Sequence, residues 1–423
     1  MTVSLILASM LFLLILGIPI AFVLGGLGLA LILIEGLNPV MVSQGLYSSV
    51  DNFILLAVPM FLLMSNVLLK GGVGKDLFTA AQSWVGHWPG GLGVATIASC
   101  ALFAAISGSS VATAATIGTV AIPEMTERGY QRNFVLGLMA AGGTLGILIP
   151  PSIVLIVYGV ITEESIVDLF VAGVGPGIFL AVLFSIFAVV YARYKGQFEM
   201  VPRATWKERW HASVRAIPTM VLAATIVFGI YFGVFTPTEA AGIGLVMALL
   251  ITLIMRTITI AQIWEACIEA MKTTVTIFLI IAGAKIFSKA ITLYRIPHDI
   301  SVFVTQTFTE PWSFLVIVCL ILLIMGFFLE ALSMLLIMVP VLHPSLAAMG
   351  IDAIWFGIVF VIMIECALIT PPVGLNLFVM QAVGNATLPE VASGVWPFIV
   401  LMLLTVIVLF FFPQLALYLP YHL

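Results

Sequence analysis

The chain has 423 residues, 63% of them hydrophobic and 8% charged, with a mean hydropathy of +1.27. A soluble domain carries roughly 25% charged residues, so a water-soluble globular fold is excluded and lipid is the expected surrounding. The net charge of −4 selects no partner and gives no reason to expect nucleic acid.

No charged residue occurs from Thr2 to Ile34. At about 1.5 Å per residue such a helix outruns a hydrocarbon core of about 30 Å, so it must tilt, bend or break. Gly17-Ile18-Pro19 supplies the bend. The run is too long for a signal-peptide h-region and lacks a basic n-region, so no cleaved leader is expected. Asn38–Ser49, with Ser43 and Gln44, reads as a short amphipathic helix along the membrane surface. Trp84, His87 and Trp88 read as an interfacial aromatic cluster.

Two half-length apolar runs, about 94–106 and 111–123, flank Ala104–Thr113, where small hydroxylated residues interrupt the apolar pattern. These lengths predict a re-entrant hairpin with Ser107–Ser110 at its tip. The next uncharged run, Asn133–Thr162, contains Gly142-Gly143-Thr144-Leu145-Gly146 and then Pro150-Pro151. A proline pair breaks a helix. In a bilayer the freed carbonyls are tolerated only inside protein or beside water, and such breaks mark the substrate and ion sites of secondary transporters. Glu163–Asp168 is an acidic turn, and 169–192 is a returning span.

Arg193, Lys195, Arg203, Lys207, Arg209 and Arg215 make the junction that follows the most basic stretch, hence cytoplasmic. The acidic turn then faces outward, and the next span, about 216–234, runs outward again. That path leaves Lys70 and Lys75 outside, against the charge rule. Thr257–Lys272, with Gln262, Glu265 and Glu269, reads as a second surface helix. Lys285 and Lys289 share one helix face, lining a substrate path, touching another subunit, or snorkelling to the surface. Gly326–Ser333 forms a second hairpin tip within 312–341, and Thr370-Pro371-Pro372-Val373-Gly374 a second break within 352–383. Glu330 at the tip and Glu365 before the break are ionisable groups at membrane depth, which by default suggests function. Cys100, Cys267, Cys319 and Cys366 lack CxxC spacing and read as free thiols.

The two proline pairs are 221 residues apart (371 − 150), and Gly173 and Pro176 fall on Gly394 and Pro397 at the same offset. The expected fold is therefore an all-α polytopic membrane protein of two inverted repeats, roughly 1–212 and 213–423. Each has scaffold helices (about 1–70 and 216–293), a hairpin (about 94–125 and 312–341) and a broken helix (about 133–160 and 352–383).

Ala105-Ile106-Ser107-Gly108-Ser109-Ser110, Ile122-Pro123-Glu124-Met125 with Arg128-Gly129-Tyr130, and Gly143-Thr144-Leu145-Gly146 through Pro150-Pro151-Ser152 carry a resemblance. So do Phe235-Thr236-Pro237-Thr238-Glu239-Ala240-Ala241 and the second break. Over nearly its whole length the chain resembles the large membrane subunit of TRAP (tripartite ATP-independent periplasmic) transporters. The resemblance implies a multi-pass permease of the bacterial inner membrane, an elevator mechanism driven by Na⁺, and no enzymatic activity. It also implies a small four-helix membrane subunit and a periplasmic substrate-binding protein that delivers an organic acid.

Matched to those motifs, Ser107, Ser110, Gly143, Leu148 and Pro150 are the candidates for one Na⁺ site, mostly through carbonyls. Gly326, Ser333, Thr370 and Gly374 are the candidates for the other. Substrate is expected between the tips, near Ser109, Thr113, Glu330 and Asn376. Neither tip contains an arginine, so a carboxylate would be held by helix N-termini and backbone amides or by a charge elsewhere. The alternative is a self-sufficient Na⁺- or H⁺-coupled dicarboxylate symporter that needs no binding protein. A serine hydrolase using Ser107 or Ser109 would need a histidine or lysine base in reach.

Overall fold

A computed structural model describes residues 2–36, 38–195 and 199–422. The first half contains α1 (Thr2–Ile15), α2 (Ile20–Ile34), α3 (Val40–Val50), a 3₁₀ turn (Phe53–Leu56), α4 (Ala57–Lys70) and α5 (Val73–Val85). It continues with α6 (Gly91–Ser107), α7 (Ser110–Glu127), α8 (Arg132–Leu148), α9 (Ile153–Thr162) and α10 (Ile166–Lys195). The second half contains α11 (Trp206–Tyr231), α12 (Pro237–Ile254), α13 (Ile260–Leu293), α14 (Ile296–Thr307) and α15 (Pro311–Met325). It ends with α16 (Ala331–Ala348), α17 (Ala353–Ile369), α18 (Leu375–Gly384), α19 (Leu388–Phe411) and α20 (Gln414–His422). Among the described residues, seven helices are long and apolar enough to cross a membrane, or up to eight if the bent pair α8–α9 counts as one span. The chain is an all-helical, multi-pass membrane protein.

Sequence chemistry sets the helix starts. Thr205 with Glu208, Thr236 with Glu239 and Thr387 with Glu390 form reciprocal capping boxes that open α11, α12 and α19. The Phe235–Ala241 motif is one of these: Thr236 caps and Pro237 takes the first helical position, where its missing N–H costs nothing. The expected bend at Gly17-Ile18-Pro19 is the gap between α1 and α2, where Gly17 adopts φ +79°. Halves match in register: α7 and α16 are both 18 residues and begin 221 apart (331 − 110), and α8 and α17 are both 17 residues and begin 221 apart (353 − 132).

Burial sorts the helices into two groups. Every residue of α8 from Phe134 to Leu148 is buried, as is every residue of α17 from Ile354 to Ile369. Both are apolar all round, which only a helix surrounded by protein can use. Around them pack α6, α7, α10, α15, α16, α18 and α19. The other group is built on α13, which lies against α2, α3 and α4, with α12 behind α4. In it α2 meets α13 closely: a β-carbon on Gly28 would stand 2.8 Å from the Phe287 backbone nitrogen, so only glycine fits. Large apolar side chains such as Phe12, Ile34 and Ile254 stay exposed on the outside, facing lipid.

Two expectations change. The first amphipathic stretch is the separate short α3, but Thr257–Lys272 is not a separate surface helix; it runs on without a break in the 34-residue α13. Lys70 of α4 bridges Glu265 (3.3 Å) and Glu269 (3.0 Å), both exposed, and so ties the polar first turns of α13 to the end of α4. Lys70 and Lys75 are likewise not on the far side from the basic junction. Asp76 lies 3.7 Å from Arg215, and Lys75 shares a groove with Lys207, His211 and Arg215. The amphipathic α5 docks there on α11: Trp84 donates to Ser213 Oγ (3.0 Å), and the Arg209 guanidinium sits 5.3 and 5.5 Å from the Trp84 and Trp206 rings.

Candidate functional site: two hairpin tips on two broken helices

The first hairpin is α6–α7, turned by Gly108 (φ +59°) and Ser109. Ser109 caps α7, accepting from the Ala112 amide at 3.4 Å. Behind it runs a chain of hydroxyls: Ser107 Oγ lies 2.8 Å from Thr113 Oγ1, which donates to the Ser109 carbonyl at 2.8 Å. With that acceptor fixed, Ser107 is the donor to Thr113. The Thr113 hydroxyl, expected to be free for substrate, is buried and engaged inside the protein.

The tip seats on the first break, Ile149–Ser152, between α8 and α9, which bend by 41°. Pro150 and Pro151 carry no N–H for the Gly146 and Ile147 carbonyls one turn earlier, so those oxygens have lost their helical partners. A β-carbon on Gly146 would lie 2.7 Å from the Ser109 carbonyl and 2.7 Å from Thr113 Oγ1, so this glycine is what lets tip and broken helix touch. Gly143 faces Ala114 and the Ser110 carbonyl in the same way. Five expected residues, Ser107, Ser110, Gly143, Leu148 and Pro150, are therefore brought to one hairpin and the broken helix against it.

The second hairpin, α15–α16, repeats the arrangement from the other side of the pairing. Gly326 backs directly onto Ala367 of α17, where a β-carbon would come within 2.3 Å of the Ala367 β-carbon. Ala367 is the residue 221 after Gly146, so the same helix position carries both contacts. The break Thr370–Gly374 contains Pro371 and Pro372, which remove the donors for the Ala367 and Leu368 carbonyls, though Thr370 N partly recovers the first at 3.2 Å. Both Pro-Pro bonds are cis. Ser333 is buried and donates to Glu330 Oε1 at 3.4 Å, while the Thr370 hydroxyl turns back to the Cys366 carbonyl at 2.6 Å. Glu330 itself is exposed.

A buried amide links the second break to the first hairpin. Asn376, at the start of α18, is fully buried. It accepts from Ser110 Oγ (3.2 Å) and donates to the Ala140 carbonyl (3.3 Å). It is thus a bridge between the first hairpin and α8, with its amide already used. Glu365 has no such bridge. Its carboxyl is fully buried beside the Leu148 backbone, and among the described residues neither oxygen meets a donor of good geometry. Leu148 is the last residue of α8 before the first break, so Glu365 brings an ionisable group from the second broken helix to the first break.

Neutral carbonyl and hydroxyl oxygens dominate both tips, a donor set for hard cations. Two inward hairpins on two broken helices form a transport core rather than an enzyme's cleft. A family model described as "Tripartite ATP-independent periplasmic transporter, DctM component" matches residues 7–415. The chain belongs to the DctM family. It is 40% identical to the C4-dicarboxylate TRAP transporter large permease protein DctM of Pseudomonas aeruginosa, covering 89% of this chain and 88% of that one. The sialic acid TRAP transporter large permease protein SiaM of Vibrio cholerae is 32% identical, covering 96% of this chain and 95% of that one. These DctM-family relatives are transporter permease proteins, not enzymes. The crystal structure of the Alcanivorax borkumensis YdaH transporter shares the fold, with a TM-score of 0.60 at 13% identity over 89% of this chain and 88% of that one.

Proposed function

We propose that this DctM-family permease imports an organic acid across the bacterial inner membrane, driven by Na⁺ and by an elevator movement of the hairpin group against the α13 group. A periplasmic binding protein delivers the acid, and a small four-helix membrane subunit completes the complex. The observation that carries this reading is the paired construction of the core, in which each hairpin tip seats on a proline-broken helix whose carbonyls have lost their donors. Na⁺ is the cation such neutral oxygens suit. Ser107, Ser110, Gly143, Leu148 and Pro150 would hold one ion, and Gly326, Ser333, Thr370 and Gly374 the other. The matched register of α7–α8 and α16–α17 supports two inverted repeats, 1–212 and 213–423. Relatives named for C4-dicarboxylate, sialic acid and 2,3-diketo-L-gulonate support a carboxylate as cargo.

The test is reconstitution of all three components into proteoliposomes. Uptake is expected only with an inward Na⁺ gradient, and uptake unchanged when K⁺ replaces Na⁺ at fixed pH would overturn the coupling. Uptake by the permease alone would instead favour a self-sufficient symporter. The unpartnered Glu365 favours one second reading, coupling to protons at the first break.

A further inference from the structure

A cavity of about 230 Å³ lies where the two helix groups meet, between Asn52, Lys285 and Ser288 on one side and α9 with Leu336 and His343 on the other. A water's share of the liquid is about 30 Å³, so the space admits several waters or the head of a small organic acid. Its polar lining mixes acceptors with donors: Ser48 and Ser49 give their hydroxyl protons to the Gly45 and Leu46 carbonyls, and the donors left come from Asn52, Lys285, Ser288 and His343. Asn52 commits its Oδ1 to the Ile54 amide (2.9 Å), which leaves its NH₂ group. Lys285 brings an ammonium, Ser288 a hydroxyl and His343 a ring nitrogen, and no aspartate or glutamate lines the space.

Lys285 enters no ion pair among the described residues, although Lys70 pairs with two carboxylates of the same helix α13. The position makes this unusual. Lys272 is the last charged residue before Lys285, and the 21 residues that follow it in α13 (293 − 272), about 31 Å of helix, contain only Lys285 and Lys289 as charges. Lys285 lies about 12 Å from the end of that segment. It is exposed and borders the cavity, and an ionisable group within a membrane span by default suggests function. Leu336 is about 9 Å along α16 from the tip residue Glu330, so the cavity begins close to the second tip. No lysine or arginine occurs within residues 104–113, 142–152, 326–333 or 366–376.

We infer that this cavity is an anion-binding vestibule in which Lys285 receives a carboxylate of the transported acid, supplying the positive charge both tips lack. The inference rests on the transport reading above, because a lining drawn from both helix groups matters only if one moves past the other. A carboxylate is an acceptor-only anion, and an ammonium beside the free Asn52 NH₂ group, with no carboxylate in the lining, is its complement.

Two experiments test it, the first independent of any uptake. Ser48, exposed at the same cavity, is changed to cysteine (Ser48→Cys), and its modification by the anionic reagent 2-sulfonatoethyl methanethiosulfonate is compared with that by the cationic trimethylammonium analogue. The anionic reagent is expected to react about tenfold faster relative to free thiol, and Lys285→Gln is expected to abolish the preference. Equal rates with Lys285 present would overturn the vestibule. Slowing several-fold by phosphatidylglycerol, relative to phosphatidylcholine nanodiscs, would overturn the substrate assignment in favour of a lipid headgroup.

In the reconstituted complex, Lys285→Gln should lower kcat/KM for uptake tenfold or more with Na⁺ dependence intact, and Lys285→Arg should restore it to within about threefold. Unchanged uptake in Lys285→Gln would overturn the inference and leave the transport reading standing. Absent uptake in the unaltered complex would overturn that reading, while the cysteine rates still decide whether the cavity takes anions.

Discussion

The two breaks use one backbone device in opposite surroundings. At the first, Pro150, Pro151 and Ser152 are all buried, and the tip's hydroxyls bond to one another and to the Ser109 carbonyl. At the second, Pro372 is exposed, as are Val373, Leu375 and the neighbouring Glu330, and the Thr370 hydroxyl faces back into its own helix. A buried polar group must be bonded or it costs free energy, so the first site is set by internal bonds. The second leaves its polar groups to meet something from outside. On the proposed Na⁺ reading, the enclosed break would hold its ion in a fixed cage and the open one would exchange it.

The largest way to break this comparison is steric. Gly146→Leu and Gly326→Leu should each abolish Na⁺-driven uptake, because each forces a tip off its broken helix; transport by either variant in proteoliposomes would mean that tip and break need not touch. Next, Asn376→Leu leaves the buried Ser110 hydroxyl without its acceptor, while the Ala140 carbonyl keeps its helical bond, and should destabilise the core by about 1–3 kcal/mol. Thermal unfolding of the purified protein would read it, and an unchanged midpoint would dismiss the bridge between the halves. A finer contrast comes from the hydroxyls. Ser107→Ala should raise the half-saturating Na⁺ concentration about tenfold, one hydrogen-bonded ligand being worth about 1.4 kcal/mol, while Thr370→Val should change it by less than about threefold. The reverse order would exchange the roles of the two sites. The smallest effect is expected for Glu365→Gln, with Na⁺-driven uptake kept within about threefold and an unchanged pH profile. Loss of uptake, or a flattened profile, would move the coupling toward protons.

Most of the helical plan was legible because it is local. Short apolar runs on either side of Ser107–Ser110 and Gly326–Ser333, and prolines inside apolar stretches, announce hairpins and breaks without reference to any partner. What joins the pieces was not legible. The bonds from Asn376 to Ser110 and Ala140 span 266 and 236 residues, and no local pattern records them. Thr257–Lys272 was not legible as the first turns of a longer helix, for a related reason: what ties its exposed carboxylates down is Lys70, 195 residues earlier than Glu265. Lys70 and Lys75 were misplaced because the path followed a count of spans against the charge rule, whereas α5 packs on α11 and brings Lys75 to the basic junction. Glu330 and Glu365 looked equivalent as acidic residues in apolar segments. Packing alone separates them, one exposed and one wholly enclosed.

The contact between α2 and α13 has a mechanical consequence. With Gly28 against the Phe287 backbone, the two helices approach closely enough to tilt as one beam. The 34 residues of α13 rise about 51 Å, well beyond a hydrocarbon layer of about 30 Å. A single helix relieves such a mismatch by leaning, but a paired beam leans less freely, and thickness changes in the bilayer are then met by deformation of the lipid. Acyl-chain length thereby becomes a load on the α13 group, borne by two helices together.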